Sequence, residues 1–387
     1  MNLAISIAGA FQGILLSLFF FLRSRSRIPT LMLGSYVFVF SIGLLENWFI
    51  ENATSVPGQI FTAFISNSAY LYGPFLYLFI YYLTTGRSNF IKRHFIHFIP
   101  FLVFFTAQVV NILSANVLIE AGGDFADLIL FELLVIQILT YNIAAIRRLD
   151  LYYKKMLETW STIEEKDLRW LRRLLFIITL VYAFSFLLTH LRLVGVSNIE
   201  PLYLIVQVSI ALCIYLMSYK VLLKPVLFTP QLATPLAEAE SEVLPKVTPL
   251  AETEPVAESK YKKSGLKPEQ AARHIEELKR IMETEKPYKD PELNVYTLAQ
   301  QLGISKNHFT QTLNEYLKMN FYEFINGYRV EEATRLLLDP QYSNLSLDGI
   351  ANESGFKSRT TFFTNFKKMT GQTPAEWIKS KSGGQGT

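Results

Sequence analysis

Cysteine is almost missing from this sequence. Cys213 is the only one in 387 residues, which excludes an intrachain disulfide and any cysteine-cluster metal site; packing as a small apolar side chain is the role left for it. Charge is sparse as well. Asp, Glu, Lys and Arg make up 18% of the chain against 50% hydrophobic residues, and the mean hydropathy is +0.24, too apolar for an ordinary soluble enzyme. The net charge of +4 is too small to identify a partner. No Lys or Arg precedes the first apolar run, whereas Arg23, Arg25 and Arg27 follow it. That order reverses the charge pattern of a secretion signal, so the run reads as a retained span.

The shortage of charge is confined to one part of the chain. Up to about residue 228 the sequence is a series of apolar runs, and beyond it come charged and amphipathic segments. Seven windows are long enough to cross about 30 Å of hydrocarbon, near 4–22, 30–50, 60–83, 94–114, 126–147, 174–194 and 202–223. The connections alternate in charge. "RSRSR" is followed by the Lys/Arg-free "ENATSVPGQ", "TTGRSNFIKR" by "SANVLIEAGGDF", and the strongly basic stretch 147–173 by "GVSNIEP". Because Lys and Arg are retained on the cytoplasmic side, this predicts a multi-pass protein of the cytoplasmic (inner) membrane, amino terminus outside and carboxyl end inside. Gly73-Pro74 predicts a kink in the third span.

From 229 to 263 the composition turns to Pro, Ala, Glu and Thr, with the near-duplicates "TPLAEAE" and "TPLAETE". Such a stretch has too little apolar surface to offset its ordering entropy and reads as a disordered linker. A signal cannot cross it as a small helix rotation. The spans must act by pairing two chains, by exposing the linker to a protease, or by holding and releasing the distal domain at the basic loop 147–173.

Beyond residue 264 the apolar spacing is helical, and two segments resemble each other. In "LAQQLGISKNHFTQTL" (298–313) a short helix ends at Gly303 and Ser305 can cap a second helix. In "IANESGFKSRTTFFTNF" (350–366) the order returns, with Gly355 at the turn and Ser358 as the cap. Phe309 with Leu313, and Phe362 with Phe366, are four apart and mark the buried faces. The outer faces then carry Asn307, Thr310 and Gln311 on one helix and Arg359, Thr360, Phe363 and Thr364 on the other. Asn and Gln suit adenine, Arg suits guanine, and Thr meets the thymine methyl, so these residues can read base edges in a major groove. A continuous helix over 321–339 would hold the two units apart.

The block from Phe321 to Trp377 resembles the carboxyl-terminal DNA-binding domain of AraC/XylS-family transcription regulators. Ala351, Gly355, Phe356, Ser358, Phe362, Phe366, Lys367, Lys368, Gly371, Thr373 and Pro374 match the family's closing pattern. The likeness extends over about 268–380, and the expected domain is 264–380, followed by a disordered tail at 381–387. The resemblance implies two recognition helices in neighbouring major-groove segments of promoter or operator DNA. It makes Asn307, Thr310, Gln311, Arg359, Thr360 and Thr364 the base readers. Ser305, Lys306, Lys357, Ser358, Lys367 and Lys368 are the expected phosphate contacts. The sequence departs from the pattern at Lys318, where glycine is usual, at Asn314, where a basic residue is common, and at Thr364, where arginine is frequent.

The first 228 residues hold no motif of that density; their likeness to membrane halves attached to other AraC-type domains is architectural only. Polar residues within spans are costly, and many fall in the outer halves: Glu46, Asn67, Gln108, Glu132, His190 and Gln207. They suggest a pocket for a small-molecule or membrane signal, with interhelical hydrogen bonding as the plainer reading of each. His94 and His97 have metal-compatible spacing but no third ligand, so no metal and no other cofactor is expected. "EEATR" (331–335) reads as a solvated helix face. The expected fold class is all-α: a seven-helix membrane bundle, a linker and a double helix-turn-helix domain. The expected function is that of a non-enzymatic, membrane-embedded one-component regulator acting on double-stranded DNA, with a homodimer as a further expectation. The alternatives are spans that serve only as an anchor, or a transporter-like membrane domain with a regulatory tail.

Overall fold

The computed structural model describes residues 3–23, 28–87, 89–114, 123–197, 199–223 and 266–382. The expected linker at 229–263 and residues 383–387 of the expected tail lie outside them. Helices supply all of the regular structure, with no strand among the described residues. The chain forms two compact units. One takes the chain to Tyr152 and resumes at Leu168; the other joins Tyr153–Asp167 to the carboxyl-terminal helices.

In the first unit the helices are α1 (Leu3–Arg23), α2 (Ile28–Gly43), α3 (Glu46–Asn52), α4 (Val56–Asn67), α5 (Tyr72–Thr85), α6 (Ile99–Leu113), the greater part of α7 (Gly123–Thr159), α8 (Arg169–Leu193) and α9 (Glu200–Leu223). Four described helical stretches are long and apolar enough to cross a membrane: Lys92–Leu113, Leu128–Thr159, Arg169–Leu193 and Pro201–Leu223. α2 and α3 make a fifth if the 45° bend between them is counted as a broken span. α1 offers only the shorter apolar stretch Ser6–Leu22. In the third window a 3-10 turn at Ser68–Leu71 separates α4 from α5, just ahead of Gly73-Pro74. An apolar run fixes partition into lipid, but not whether the helix stays continuous along it. On α8, Phe176, Ile177, Leu180, Phe184 and Leu187 are all exposed, a contiguous greasy face of the kind a bilayer covers.

The second unit holds α10 (Pro268–Thr284), α11 (Val295–Gln301), α12 (Lys306–Gln311), α13 (Phe321–Leu338), α14 (Leu347–Glu353), α15 (Arg359–Thr370) and α16 (Pro374–Ser382). Two apolar cores form here. Leu278, Ile281, Leu298, Phe309 and Leu313 close around Phe321, Phe324 and Ile325 of α13. Ile350, Ala351, Phe356, Phe362 and Phe366 close around Val330, Ala333 and Leu336 of the same helix. α13 thus serves both cores, its amino-terminal half in one and its carboxyl-terminal half in the other. Its start is fixed by a reciprocal cap, in which Asn320 accepts from the Glu323 N–H and the Glu323 carboxylate accepts from the Asn320 N–H.

One expectation is overturned on α13. Glu332, read from sequence as part of a solvated face, is 4% exposed. Three cations compensate its burial: Lys289 at 2.9 Å, Arg335 at 3.0 Å and Lys286 at 3.3 Å. Arg335 and the two lysines hold its carboxyl down at about 2 despite burial.

Candidate nucleic-acid interface

Each half of the second unit presents a short helix, a turn and a second helix. In the first half α11 leads into a turn where Gly303 has φ 68°, and the Ser305 side chain accepts the His308 N–H to start α12. In the second half α14 leads into Gly355, with φ 90°. A side chain there would be strained by the backbone and would also collide, because an added Cβ would lie 2.3 Å from the Tyr288 carbonyl oxygen. Ser358 takes the N-cap position of α15 but makes no side-chain cap bond. Its expected capping role is therefore unmet, and α15 starts from its position alone.

The expected contact residues do not all share one environment. Asn307, Arg359, Thr360, Thr364, Ser305, Lys357, Lys367 and Lys368 are exposed, while Thr310, Lys306 and Ser358 are half-buried. Gln311 departs from expectation: it is 5% exposed and its amide donates to Glu315 at 2.8 Å. The physical reason lies in the helix. After Gln311 the chain widens into a π-helix over Thr312–Leu317, so 3.6-residue spacing no longer assigns faces there. That segment ends at Lys318, whose φ is 57°. The sequence departure at Lys318 is thus a lysine in the left-handed position that Gly371, with φ 78°, fills after α15.

Several cations of this face are held by carboxylates that sequence spacing could not reveal. Arg359 pairs with Asp348 at 3.0 Å and lies 5.0 Å over the Phe363 ring. Lys368 pairs with Glu323 at 2.9 Å. Lys357 sits between Glu292 at 3.0 Å and Glu165 at 3.1 Å, and these two hold its ammonium above the usual lysine range. Lys306 donates to the Tyr296 hydroxyl at 2.6 Å. After α15, Thr373 and Glu376 cap α16 reciprocally around Pro374, which gives the Thr-Pro of the matched pattern a mechanical purpose.

In the first unit two pairs form among the six polar residues singled out in the spans. Asn67 donates to Gln108, and His190 Nε2 lies 3.0 Å from Glu132. Glu46 is half-buried and Gln207 is exposed, and neither joins these pairs. His94 and His97 each contact a tyrosine hydroxyl, Tyr82 at 3.0 Å and Tyr141 at 2.8 Å. No metal-binding group of three or more His, Cys, Asp or Glu occurs among the described residues.

Comparison with known proteins agrees with this geometry. Residues 298–380 match a family described as a helix-turn-helix domain. Over 86 residues the chain is 33% identical to an uncharacterized HTH-type transcriptional regulator of Staphylococcus aureus strain COL. The same identity and span hold for counterparts in strains MSSA476 and N315. The alignment takes in 22% of this chain and only 11% of each relative. No solved structure matches. The carboxyl-terminal helices of this chain are a helix-turn-helix domain of the AraC type.

Proposed function

We propose that the protein is a membrane-embedded transcription regulator that binds double-stranded DNA sequence-specifically through α12 and α15. The observation that carries this reading is the repetition of one exposed helix start, after a left-handed glycine turn, on both sides of the shared helix α13. Asn307 on α12 and Arg359, Thr360 and Thr364 on α15 are the base readers, with Thr310 at the edge of the face; the buried Gln311 is not among them. Ser305, Lys306, Lys357, Ser358, Lys367 and Lys368 meet phosphate. The test is selection of duplexes from a random library by the full chain in lipid nanodiscs. A two-part motif with its halves about one helical turn apart is the expected product; unenriched sequence would overturn the reading.

In this reading the protein spans the cytoplasmic membrane seven times, amino terminus outside and the DNA-binding domain in the cytoplasm; the charge alternation of the connections and the four described stretches long and apolar enough to cross a membrane support it. Within this reading the spans sense an extracytoplasmic or membrane signal, and the Glu132–His190 pair is the polar element that supports it. Glu132→Gln should blunt stimulus-dependent transcription while leaving the affinity of the unstimulated chain for DNA unchanged. An unaltered response would favour spans that only anchor.

A further inference from the structure

The second unit contains one segment that belongs to neither helix-turn-helix. Tyr153–Asp167, the last turns of α7 and the residues that lead on toward α8, packs with the carboxyl-terminal helices. Its centre is Ser161, fully buried. The Ser161 N–H and hydroxyl both donate to the Leu293 carbonyl, at 3.3 and 2.7 Å. Its own carbonyl accepts from Asn326 and Arg329, each at 3.1 Å, and its hydroxyl accepts from Arg329 at 3.0 Å. Trp160 forms an isolated antiparallel bridge with Asn294, and Lys166 folds back over the Trp160 ring at 3.0 Å.

The receiving surface is central to the unit. Asn326 and Arg329 occupy α13 between the residues of its first core and those of its second. Arg329 is 1% exposed and also donates to the carbonyls of Tyr288 and Asp290, at 2.7 and 2.9 Å. A buried guanidinium needs its donors satisfied, and Ser161 supplies two of the acceptors. The same segment ends beside the DNA-contacting face, where Glu165 at 3.1 Å joins Glu292 at 3.0 Å on Lys357, the residue just before the α15 cap. A phosphate and the Glu165 carboxylate would compete for that ammonium, and the carboxylate would repel the phosphate.

We propose that Trp160–Lys166 is a strap docked reversibly in the Leu293–Arg329 cleft, and that the docked strap opposes DNA binding by occupying Lys357 with Glu165. It deepens the DNA-binding reading above and rests on it. The strap's ends run directly into α7 and α8, both of which carry candidate spans, so a change in those helices reaches the strap without passing through the segment 229–263. Holding and releasing at the basic loop, one of the three routes left open by the sequence, thereby acquires named contacts.

The test uses the full chain in nanodiscs and a mixed-sequence DNA duplex as probe. Glu165→Gln, an exposed change that leaves the fold intact, should raise affinity about two- to five-fold, the range of one exposed ion pair. Ser161→Ala, which removes two hydrogen bonds of the dock, should raise it further. Hydrogen exchange of the Trp160–Lys166 amides should be slow in the free chain and faster when the duplex is bound. Equal or lower affinity in Glu165→Gln, or a strap equally protected with duplex bound, would make the segment a fixed part of the domain and overturn the proposal. If neither the wild-type chain nor the Glu165→Gln and Ser161→Ala variants retain any duplex, the DNA-binding reading itself falls and the proposal with it.

Discussion

Glu332 and Arg335 stand one turn apart on α13 and meet at two points, Arg335 Nε to Oε2 at 3.1 Å and Nη2 to Oε1 at 3.0 Å. The carboxylate is buried and the guanidinium half exposed, so the pair is a charge drawn inward and answered from the surface. Its carboxyl titrates at about 2, below the usual carboxylate range. A depressed folded-state value contributes stability above the unfolded value of about 4.3, and that contribution is lost as pH falls toward about 2. Glu332→Gln should therefore destabilise the second unit by about 3 kcal/mol at pH 7. Urea titrations read by hydrogen exchange in α13 should show the gap between variant and wild type closing from pH 4.5 downward. A gap unchanged at pH 3 would contradict the assignment.

The two turn glycines differ in a way that substitution should expose. At Gly355 an added Cβ meets backbone at 2.3 Å, whereas at Gly303 nothing lies within 4 Å. Gly303→Ala should cost about 1 kcal/mol, from the positive φ alone. Gly355→Ala should cost about 3 kcal/mol or more, from strain and overlap together. Comparable losses for the two, by the same urea titration, would mean that the close approach of Tyr288 relaxes freely.

Lys318 offers the converse experiment. With φ at 57°, it bears the cost of a left-handed non-glycine residue. Lys318→Gly should stabilise the first helix-turn-helix by about 1 kcal/mol, and Gly371→Ala should destabilise the second by a similar amount.

Two cations of the proposed DNA face should fail differently. Arg359→Ala should cost about 1–3 kcal/mol and relax preference at one base position, while Lys367→Ala should weaken all sequences alike and reduce the salt slope by about one unit. Binding of selected and scrambled duplexes across a salt series separates the two. An Arg359→Ala variant with unchanged affinity and preference would displace α15 from the groove.

Membrane orientation is open to reporter fusion. Reporters joined after Ala115 and after Val196 should signal an extracytoplasmic location. Cytoplasmic signals from both would reverse the charge-based topology.

The helix-turn-helix half was legible because its constraints are local. Gly303 and Gly355 terminate helices, Phe309, Leu313, Phe362 and Phe366 repeat at four, and all four are buried. What escaped reading depends on distance in the chain or on a change of helical pitch. Gln311 turns inward immediately ahead of the π-helix and bonds to Glu315 within it. Glu332 is answered by Lys286 and Lys289, more than 40 residues away. Ser161 and Arg329 are 168 positions apart, and no periodicity links them. In the apolar half, hydropathy located the helices, but the bend after Gly43 and the 3-10 turn before Tyr72 follow from packing, which hydropathy does not encode.

α13 carries a consequence for any promoter this protein recognises. One 18-residue rod supplies side chains to both cores, so neither reading head can swivel without dismantling its own interior. In the proposed complex the phase between the two halves of the recognised sequence is then set by the protein and not negotiated with the DNA. Promoters can drift in either half-site one base at a time, but a single inserted base pair between the halves turns them about 35° out of register on the duplex. Mutation of such sites should accordingly be permissive for substitution and intolerant of insertion or deletion.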